Sequence, residues 1–256
     1  MELLHTVKRK SAFSEIAYYA LNIGLAAALL IISQTIQHPA FAIILVLLSK
    51  WRVFAVRPRY WWTNVQANMV DIVVGLSVAM LMYIPNVSFV VQVLLALFYA
   101  AWLVVLKPMS KRAAMMWQAA IAILLGTTAL FMVSYEWPVS GVVVAMVIIG
   151  YSAARHFLFA YEEPNIVLLS AIWGVVCAEI GWLAHYWTFA YTIPGNAALK
   201  IPQVTIILLL LSFLAERTYR SWKKHGAIEL SDVMPPALLT AALTFVILVF
   251  FNSVTI

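Results

Sequence analysis

Charge is scarce in this sequence of 256 residues. Asp, Glu, Lys and Arg together make up 10% of it, whereas hydrophobic residues make up 65%. A water-soluble domain carries roughly a quarter charged residues and about half apolar ones. A surface this poor in charge would not stay dissolved in water, so the composition predicts a protein embedded in a lipid bilayer.

Several other scarcities exclude classes of function. The single cysteine, Cys177, excludes an intramolecular disulfide. No lysine falls deep inside an apolar run, which excludes a Schiff base to a retinal-type chromophore. Glycines are few and scattered, and the sequence has no Walker loop, HExxH or GxSxG motif. No metal-ligand spacing is present either, so we expect no metal and no cofactor, and we leave open whether the chain is an enzyme.

What the sequence does have is long apolar runs between polar breaks. A membrane-spanning helix needs about 20 mostly apolar residues. By this measure the sequence predicts an all-α, polytopic helical membrane protein with about nine transmembrane helices, or eight if the short second run is not counted. The first run is too long for a cleavable signal and is expected to be retained. The nine runs are 15–33, 39–56, 65–84, 87–106, 113–133, 139–159, 166–187, 203–219 and 235–251.

The basic residues predict the orientation. With nine spans and a cytoplasmic N-terminus, 15 of the 16 Lys and Arg residues fall on the inner side, and only Lys200 falls outside. This sorting follows the positive-inside rule. The net charge of +6 is therefore explained by topology, and we expect no nucleic-acid partner.

The loops between the runs are short, so residues 1–256 are expected to form a single integral-membrane bundle without a separate soluble domain. The predicted location is the cell membrane, as in a bacterial inner membrane or its equivalent. The lipid bilayer is the first partner that this predicts. Partner subunits in the membrane or a homo-oligomer remain open alternatives.

Asp71 belongs to a polar stripe along the third run. Asn64, Asn68, Asp71 and Gly75 are spaced by four, three and four residues, so they share one helical face. Such a face would be unfavourable against lipid and is expected to point into the bundle. It is either a substrate or ion pathway, or a hydrogen-bonded seam that only holds helices together.

Arg155 is a candidate partner for Asp71. At 1.5 Å per residue, Asp71 lies about 9 Å from the inner end of its run, and Arg155 lies roughly 6 Å from the inner end of the sixth run. The sequence therefore permits an Asp71–Arg155 ion pair in the inner leaflet. The alternative is that Arg155 is an anchor that reaches toward the head groups.

Glu179 is the second acid placed deep in an apolar run, in the stretch VCAEIGWLAHYW. It lies about 20 Å from the inner end of the seventh run, and no basic residue is expected at its depth. An intramembrane carboxylate is a candidate functional group by default. Glu179 is therefore predicted to belong to a pathway with Asp71, or else to clasp two helices. His185, six residues later, falls on a different face among interfacial aromatics.

The stretch SKWRVFAVRPRYWW, residues 49–62, interleaves cations with aromatics at the inner boundary. Two interpretations are open: a binding site for anionic lipid head groups or a lipid-linked phosphate, and an ordinary basic loop with an aromatic belt. The second run can cross only if Lys50 and Arg52 reach outward to the head groups. The cations concerned are Lys50, Arg52, Arg57 and Arg59.

Together these features favour a small-molecule or ion permease, or a membrane subunit of a transport system. The chain is nearly all span, and its two deep carboxylates come with no catalytic motif. One alternative is a membrane-embedded enzyme acting on a lipid or lipid-linked phosphate, with Asp71 or the Glu162/Glu163 pair in acid–base or metal roles. The other is a non-catalytic scaffold or anchor subunit of a membrane complex.

Overall fold

A computed structural model describes residues 12–187, 189–193 and 196–251 of the chain. The fold is all-α, with one small β-hairpin between α7 and α8. The elements are α1 (Ala12–Thr35), α2 (Pro39–Ser49), α3 (Trp61–Met82), α4 (Phe89–Ala101), α5 (Arg112–Val133), α6 (Val139–Phe159), α7 (Ile166–His185), β1 (Ala190–Ile193), β2 (Asn196–Pro202), α8 (Gln203–His225) and α9 (Leu230–Phe250).

Seven helices of the described chain are long and apolar enough to cross a membrane: α1, α3, α4, α5, α6, α7 and α9. Two of the nine predicted spans, α2 and α8, are not among these seven helices. Helix α2 has 11 residues, about 16 Å of helix, which is short against a hydrocarbon core of about 30 Å. Helix α8 is long, but its second half carries Glu216, Arg217, Arg220, Lys223 and Lys224.

The bundle is built around α3 and α5, whose residues are largely buried, and α6 packs against both. Helices α6 and α7 form the most extensive helix pair, and glycines let their backbones approach. A Cβ atom added at Gly150 would lie 2.6 Å from Cys177 Sγ, and one added at Gly174 would lie 3.1 Å from the Val147 carbonyl oxygen. The single cysteine is therefore a buried packing residue of this interface.

One end of the bundle carries a β-hairpin between α7 and α8. Strands β1 and β2 pair antiparallel, with Ala190 opposite Pro202 and Thr192 opposite Lys200. The buried Gln203 side chain joins this hairpin to the bundle: it accepts a hydrogen bond from Trp187 Nε1 at 2.5 Å and donates to Tyr191 Oη at 3.0 Å and to the Ile247 carbonyl at 2.9 Å. Its amide thereby links the segment that follows α7 with β1, α8 and α9.

Candidate functional site

The interior of the bundle contains a buried charge centre about halfway along α3, which we call the Asp71 centre: Lys50, Asp71, Trp102 and Lys107. Lys50 Nζ and Lys107 Nζ each lie 2.6 Å from Asp71 Oδ2. Trp102 Nε1 donates to the other oxygen, Oδ1, at 3.0 Å. Both carboxylate oxygens are thus satisfied, one by two cations and one by an indole.

Local backbone geometry explains how Trp102 and Lys107 reach the same carboxylate. Residues Trp102–Leu106 form a π-helix, closed by a hydrogen bond of 2.8 Å from the Lys107 amide to the Trp102 carbonyl. In an α-helix two residues five apart point about 140° away from each other. The wider turn brings them to the same side, and such π-turns often occur at functional sites.

Gly75 opens space beside the Asp71 centre on α3. A Cβ atom at this position would lie 2.7 Å from Tyr99 Oη and 2.9 Å from Val46 Cγ1. The fully buried Tyr99 hydroxyl therefore occupies the space that Gly75 leaves free. That hydroxyl has no hydrogen-bond partner within the described chain.

With both lysines and the aspartate ionised, the Asp71 centre carries one positive charge in excess, because two ammonium groups share one carboxylate. Its two lysines differ in access: the Lys50 side chain is 8% exposed and the Lys107 side chain is 35% exposed. A buried surplus cation is unfavourable unless it is compensated. Of the two lysines, Lys107 is the more accessible from outside the bundle.

Lys50 corrects the sequence interpretation. It was expected to reach outward to the head groups, and in one of the two open interpretations to bind lipid there with Arg52, Arg57 and Arg59. Instead it is the buried C-cap residue of α2 and faces Asp71. The three arginines do lie in an exposed segment with Trp51, Phe54, Tyr60, Trp61 and Trp62, and Arg59 stacks 4.7 Å from the Tyr60 ring centroid.

The predicted Asp71–Arg155 ion pair does not form. Gln66 Nε2 on α3 donates to Tyr151 Oη on α6 at 3.0 Å, which fixes the level at which these antiparallel helices meet. Asp71 lies five residues beyond this level in one direction and Arg155 four residues beyond it in the other, an axial separation of about 13 Å. Arg155 Nη1 is buried and has no hydrogen-bond partner within the described chain.

The two asparagines of the predicted stripe use their amides on backbone. Asn64 Nδ2 donates to the Val53 carbonyl at 3.3 Å and so holds the loop after α2 against α3. Asn68 Nδ2 donates to the Asn64 carbonyl at 2.8 Å, within its own helix. Both asparagines are half-buried, and of the four stripe residues only Asp71 binds charged side chains.

Glu179 lies apart from the Asp71 centre. Its side chain is on the exposed face of α7, whereas the neighbouring Cys177 and Ala178 face the bundle. The geometry therefore gives no support to a pathway lined by both Asp71 and Glu179. His185 is half-buried at the end of the same helix, with its ring centroid 5.3 Å from that of Tyr186.

A second buried acid, Glu163, lies in the loop between α6 and α7. Its carboxylate accepts hydrogen bonds from Tyr219 Oη at 2.5 Å and from Lys223 Nζ at 3.1 Å, both on α8, and from the Asn165 amide at 3.3 Å. The Tyr219 hydrogen bond is the main cause that holds the pKa of Glu163 below its usual value, although burial acts in the opposite direction. With its oxygens so engaged, Glu163 fastens the loop to α8.

One exposed group of side chains has the donor types of a metal site. His225, Glu229 and Asp232 lie at the corner between α8 and α9, with one ligand atom of each within 4.8 Å of the others. His225 Nδ1 is 3.1 Å from Glu229 and Nε2 is 3.3 Å from Asp232. The two carboxylates therefore bind opposite sides of the ring, so a single ion at one ring nitrogen would not reach both in this arrangement.

Sequence reasoning missed Trp102, Lys107 and Tyr99. Lys107 directly follows the fourth apolar run and was counted only as an inner-loop residue. Trp102 and Tyr99 lie within that run and have no feature that distinguishes them from other residues of a span. A signal was available, because a lysine directly after a span can reach back to an acid at a similar depth on the next helix. The π-turn that aligns Trp102 with Lys107 has no recognised sequence signature.

Comparison with known proteins adds no relative. No family model matches this chain. No curated protein matches it, and no solved structure does.

Proposed function

We propose that this chain is a membrane permease, or the membrane subunit of a transport system, that binds a small anion at the Asp71 centre. The observation that supports the proposal is the shared oxygen: Lys50 and Lys107 both bind Asp71 Oδ2 at 2.6 Å. Two cations that share one carboxylate can be balanced by a second anion. A carboxylate or phosphate group of a substrate fits that role.

The exchange would take place at Lys107. Lys107 forms an ion pair with Asp71. A substrate anion that enters from the exposed side forms an ion pair with the Lys107 ammonium group, while Asp71 stays bound to Lys50 and Trp102. Each cation then has its own anion, so binding removes the surplus charge. Because the gain arises only when the anion is present, it can drive a change in how the α4 end packs on α3.

The proposal includes the finer topology. We propose nine membrane passes in a cell membrane, with a cytoplasmic N-terminus. In this arrangement α2 and the 3₁₀ turn that follows it (Trp51–Phe54) form a short pass, and α8 forms a pass that carries charged residues. The Asp71 centre supports this arrangement, since the ends of α2 and α4 meet there as two inner-side ends should. The distribution of 15 basic residues on that side supports it as well.

Anion-dependent thermal stability tests the proposal. The purified protein in lipid nanodiscs is heated with inorganic phosphate, sulfate, acetate or succinate, each against chloride at equal ionic strength. An anion that binds the folded state at a hundredfold excess over its Kd adds about 2.7 kcal/mol, a rise of about 5–10 °C in Tm for this size of chain. The anion that gives the rise is then tested for uptake into proteoliposomes.

A matched pair of variants tests whether the anion-dependent rise in Tm arises at the Asp71 centre. Lys107→Met removes the exposed cation of the Asp71 centre and should abolish the stabilisation by anion. Lys111→Met removes an exposed lysine four residues away and should keep it. If no anion in the panel raises the Tm of the unaltered protein, or if Lys107→Met responds as the unaltered protein does, the binding proposal is wrong.

A scaffold or anchor subunit is the second candidate function. It is favoured by the fact that both buried acids, Asp71 and Glu163, have all their oxygens engaged by neighbours. In a scaffold these pairs would be static clamps. The same experiment separates the two functions, because a scaffold would show no response to anions while Lys107→Met would still lower its stability.

A further inference from the structure

Arg155 on α6 is a half-buried cation for which the described residues supply no anion. Its Nη1 atom is buried without a hydrogen-bond partner in the described chain, and its guanidinium group forms no ion pair there. An arginine side chain stays charged in proteins, and a charge withdrawn from water without a partner is unfavourable. The complement of Arg155 therefore comes from outside this part of the chain.

His156, the neighbour of Arg155 in the sequence, is engaged on α5. Gln118 Nε2 donates to the carbonyl oxygens of Leu106 and Met109. The Gln118 Oε1 atom is therefore the one that accepts a hydrogen bond from His156 Nε2. This pair joins α6 to α5 and leaves Arg155 without a share in it.

Tyr151 supplies a second donor on the same face of α6. It lies one turn before Arg155, about 6 Å along the helix axis. Its Oη atom accepts a hydrogen bond of 3.0 Å from Gln66 Nε2 on α3, and its own hydroxyl hydrogen has no acceptor among the described residues. The groove between α3 and α6 thus presents a guanidinium group and a hydroxyl group that both lack an acceptor.

Large exposed aromatic rings flank this groove at the end of the bundle where α3 begins and α6 ends. Trp62 lies one turn before Gln66 and is 67% exposed, and Phe159 lies one turn after Arg155 and is 66% exposed. Gln66, Tyr151 and Arg155 are each half-buried, so the groove is accessible from one side. A ligand that fits it has an anionic group at the two donors and apolar chains beside the rings.

We propose that this groove binds the phosphate group of an anionic phospholipid, with Arg155 and Tyr151 as donors. The planar guanidinium fork matches two oxygens of a phosphodiester, and the Tyr151 hydroxyl donates to another oxygen of the same group. The negative charge of the lipid neutralises Arg155. This inference is independent of the proposed transport function, because the Asp71 centre lies about 13 Å away along the axis and shares no residue with the groove.

Thermal stability in a lipid-free, non-ionic detergent tests the site with two matched lipids. Phosphatidylglycerol and diacylglycerol share their acyl chains and glycerol backbone, but only the first has a phosphate group. At a hundredfold excess over its Kd, phosphatidylglycerol should raise the Tm by about 5–10 °C, and diacylglycerol should not. Inorganic phosphate in the same detergent is the third arm and should give no rise that depends on Arg155.

Substitutions locate the effect in the groove. Arg155→Gln should abolish the rise with phosphatidylglycerol, and Arg155→Lys should keep part of it, because lysine retains the charge but not the fork. Tyr151→Phe should reduce the rise. Arg57→Gln removes an exposed arginine at the same end of the bundle and should keep the full rise.

The lipid-free protein separates a ligand site from a packing role. Without lipid, Arg155→Gln should have a Tm at least as high as that of the unaltered protein, because the substitution removes an unpaired cation. An arginine that only holds helices together would lower the Tm when it is replaced, with or without lipid.

Three results would overturn the proposal. One is no rise with phosphatidylglycerol, or a rise as large in Arg155→Gln as in the unaltered protein. Another is an equal rise with diacylglycerol, since the phosphate group would then contribute nothing. The third is an Arg155-dependent rise with inorganic phosphate that matches the rise with the lipid, which would assign the groove to a soluble phosphate.

Discussion

Replacing Asp71 with asparagine should be among the most destabilising single changes in this protein. The substitution keeps the shape of the side chain but removes the one anion shared by Lys50 and Lys107. The buried Lys50 ammonium group and the partly exposed Lys107 ammonium group would then face each other across a neutral amide. We expect the free energy of unfolding to fall by about 3–5 kcal/mol, the range found when one partner of a buried ion pair is removed.

The distances indicate why the loss is large. At an effective dielectric constant of about 20, each contact of 2.6 Å between Asp71 Oδ2 and an ammonium group is worth roughly 6 kcal/mol before desolvation. The two ammonium nitrogens lie no more than about 5.2 Å apart, because both contact the same oxygen. Their mutual repulsion is at least roughly 3 kcal/mol on the same scale, and Asp71→Asn leaves it unopposed.

Equilibrium unfolding in mixed detergent micelles, followed by tryptophan fluorescence and circular dichroism, measures this loss. A second substitution supplies the control. Asp71→Asn combined with Lys50→Met removes one cation together with the anion and leaves only the more exposed Lys107. We expect the double variant to recover at least half of the stability lost by Asp71→Asn. Lys50→Met alone leaves a balanced Asp71–Lys107 pair and should lose less than about 2 kcal/mol.

Two outcomes would refute this reasoning. If Asp71→Asn unfolds at the same detergent fraction as the unaltered protein, the centre contributes no net stabilisation. If the double variant is no more stable than Asp71→Asn, the loss does not come from uncompensated positive charge.

Two further predictions concern packing and pH. Gly75→Ala should lower the Tm, because its Cβ would lie 2.7 Å from Tyr99 Oη. Adding Tyr99→Phe removes that oxygen and should restore part of the lost Tm. An unchanged Tm for Gly75→Ala would contradict the close approach. Because the folded-state pKa of Glu163 lies below its usual 4.5, its contribution is present above that pH and lost as pH falls through the lower folded value. The Tm of the unaltered protein should therefore fall more steeply below pH 4.5 than that of Glu163→Gln, and parallel curves would exclude the assignment.

The helices were predictable because lipid imposes a simple length and polarity rule on any spanning segment. The rule does not distinguish a full crossing from a short one, and α2 shows the difference. Its apolar core of about ten residues is followed by Lys50, whose side chain was predicted from the sequence to extend outward to the head groups. The structure instead ends the helix at Ser49 and turns the lysine inward, because Asp71 on the next helix offers a partner.

The candidate site was predictable at one residue. Asp71 is identifiable because a carboxylate in an apolar span is energetically unfavourable. Its partners, however, depend on the relative axial positions of the neighbouring helices. Residue counting placed Arg155 at a compatible depth, although an error of a turn or two in each helix was enough to separate the groups by about 13 Å. Glu179 shows the complementary limit, because depth along a helix does not tell which side of the helix a residue faces.

The π-turn at Trp102–Leu106 makes the Asp71 centre depend on residue number as much as on residue type. Winding the same five residues as a regular α-helix would leave the hydropathy of α4 unchanged but would place Lys107 about 140° from Trp102 about the helix axis, away from Asp71. Deleting one residue while restoring a regular α-helix would instead leave the two side chains four positions and about 40° apart, on the same side. A distant relative that keeps this centre should therefore have its lysine either five positions after its tryptophan across a π-turn or four positions after it in a regular α-helix. These two intervals are a more discriminating search pattern than the abundant apolar residues around them.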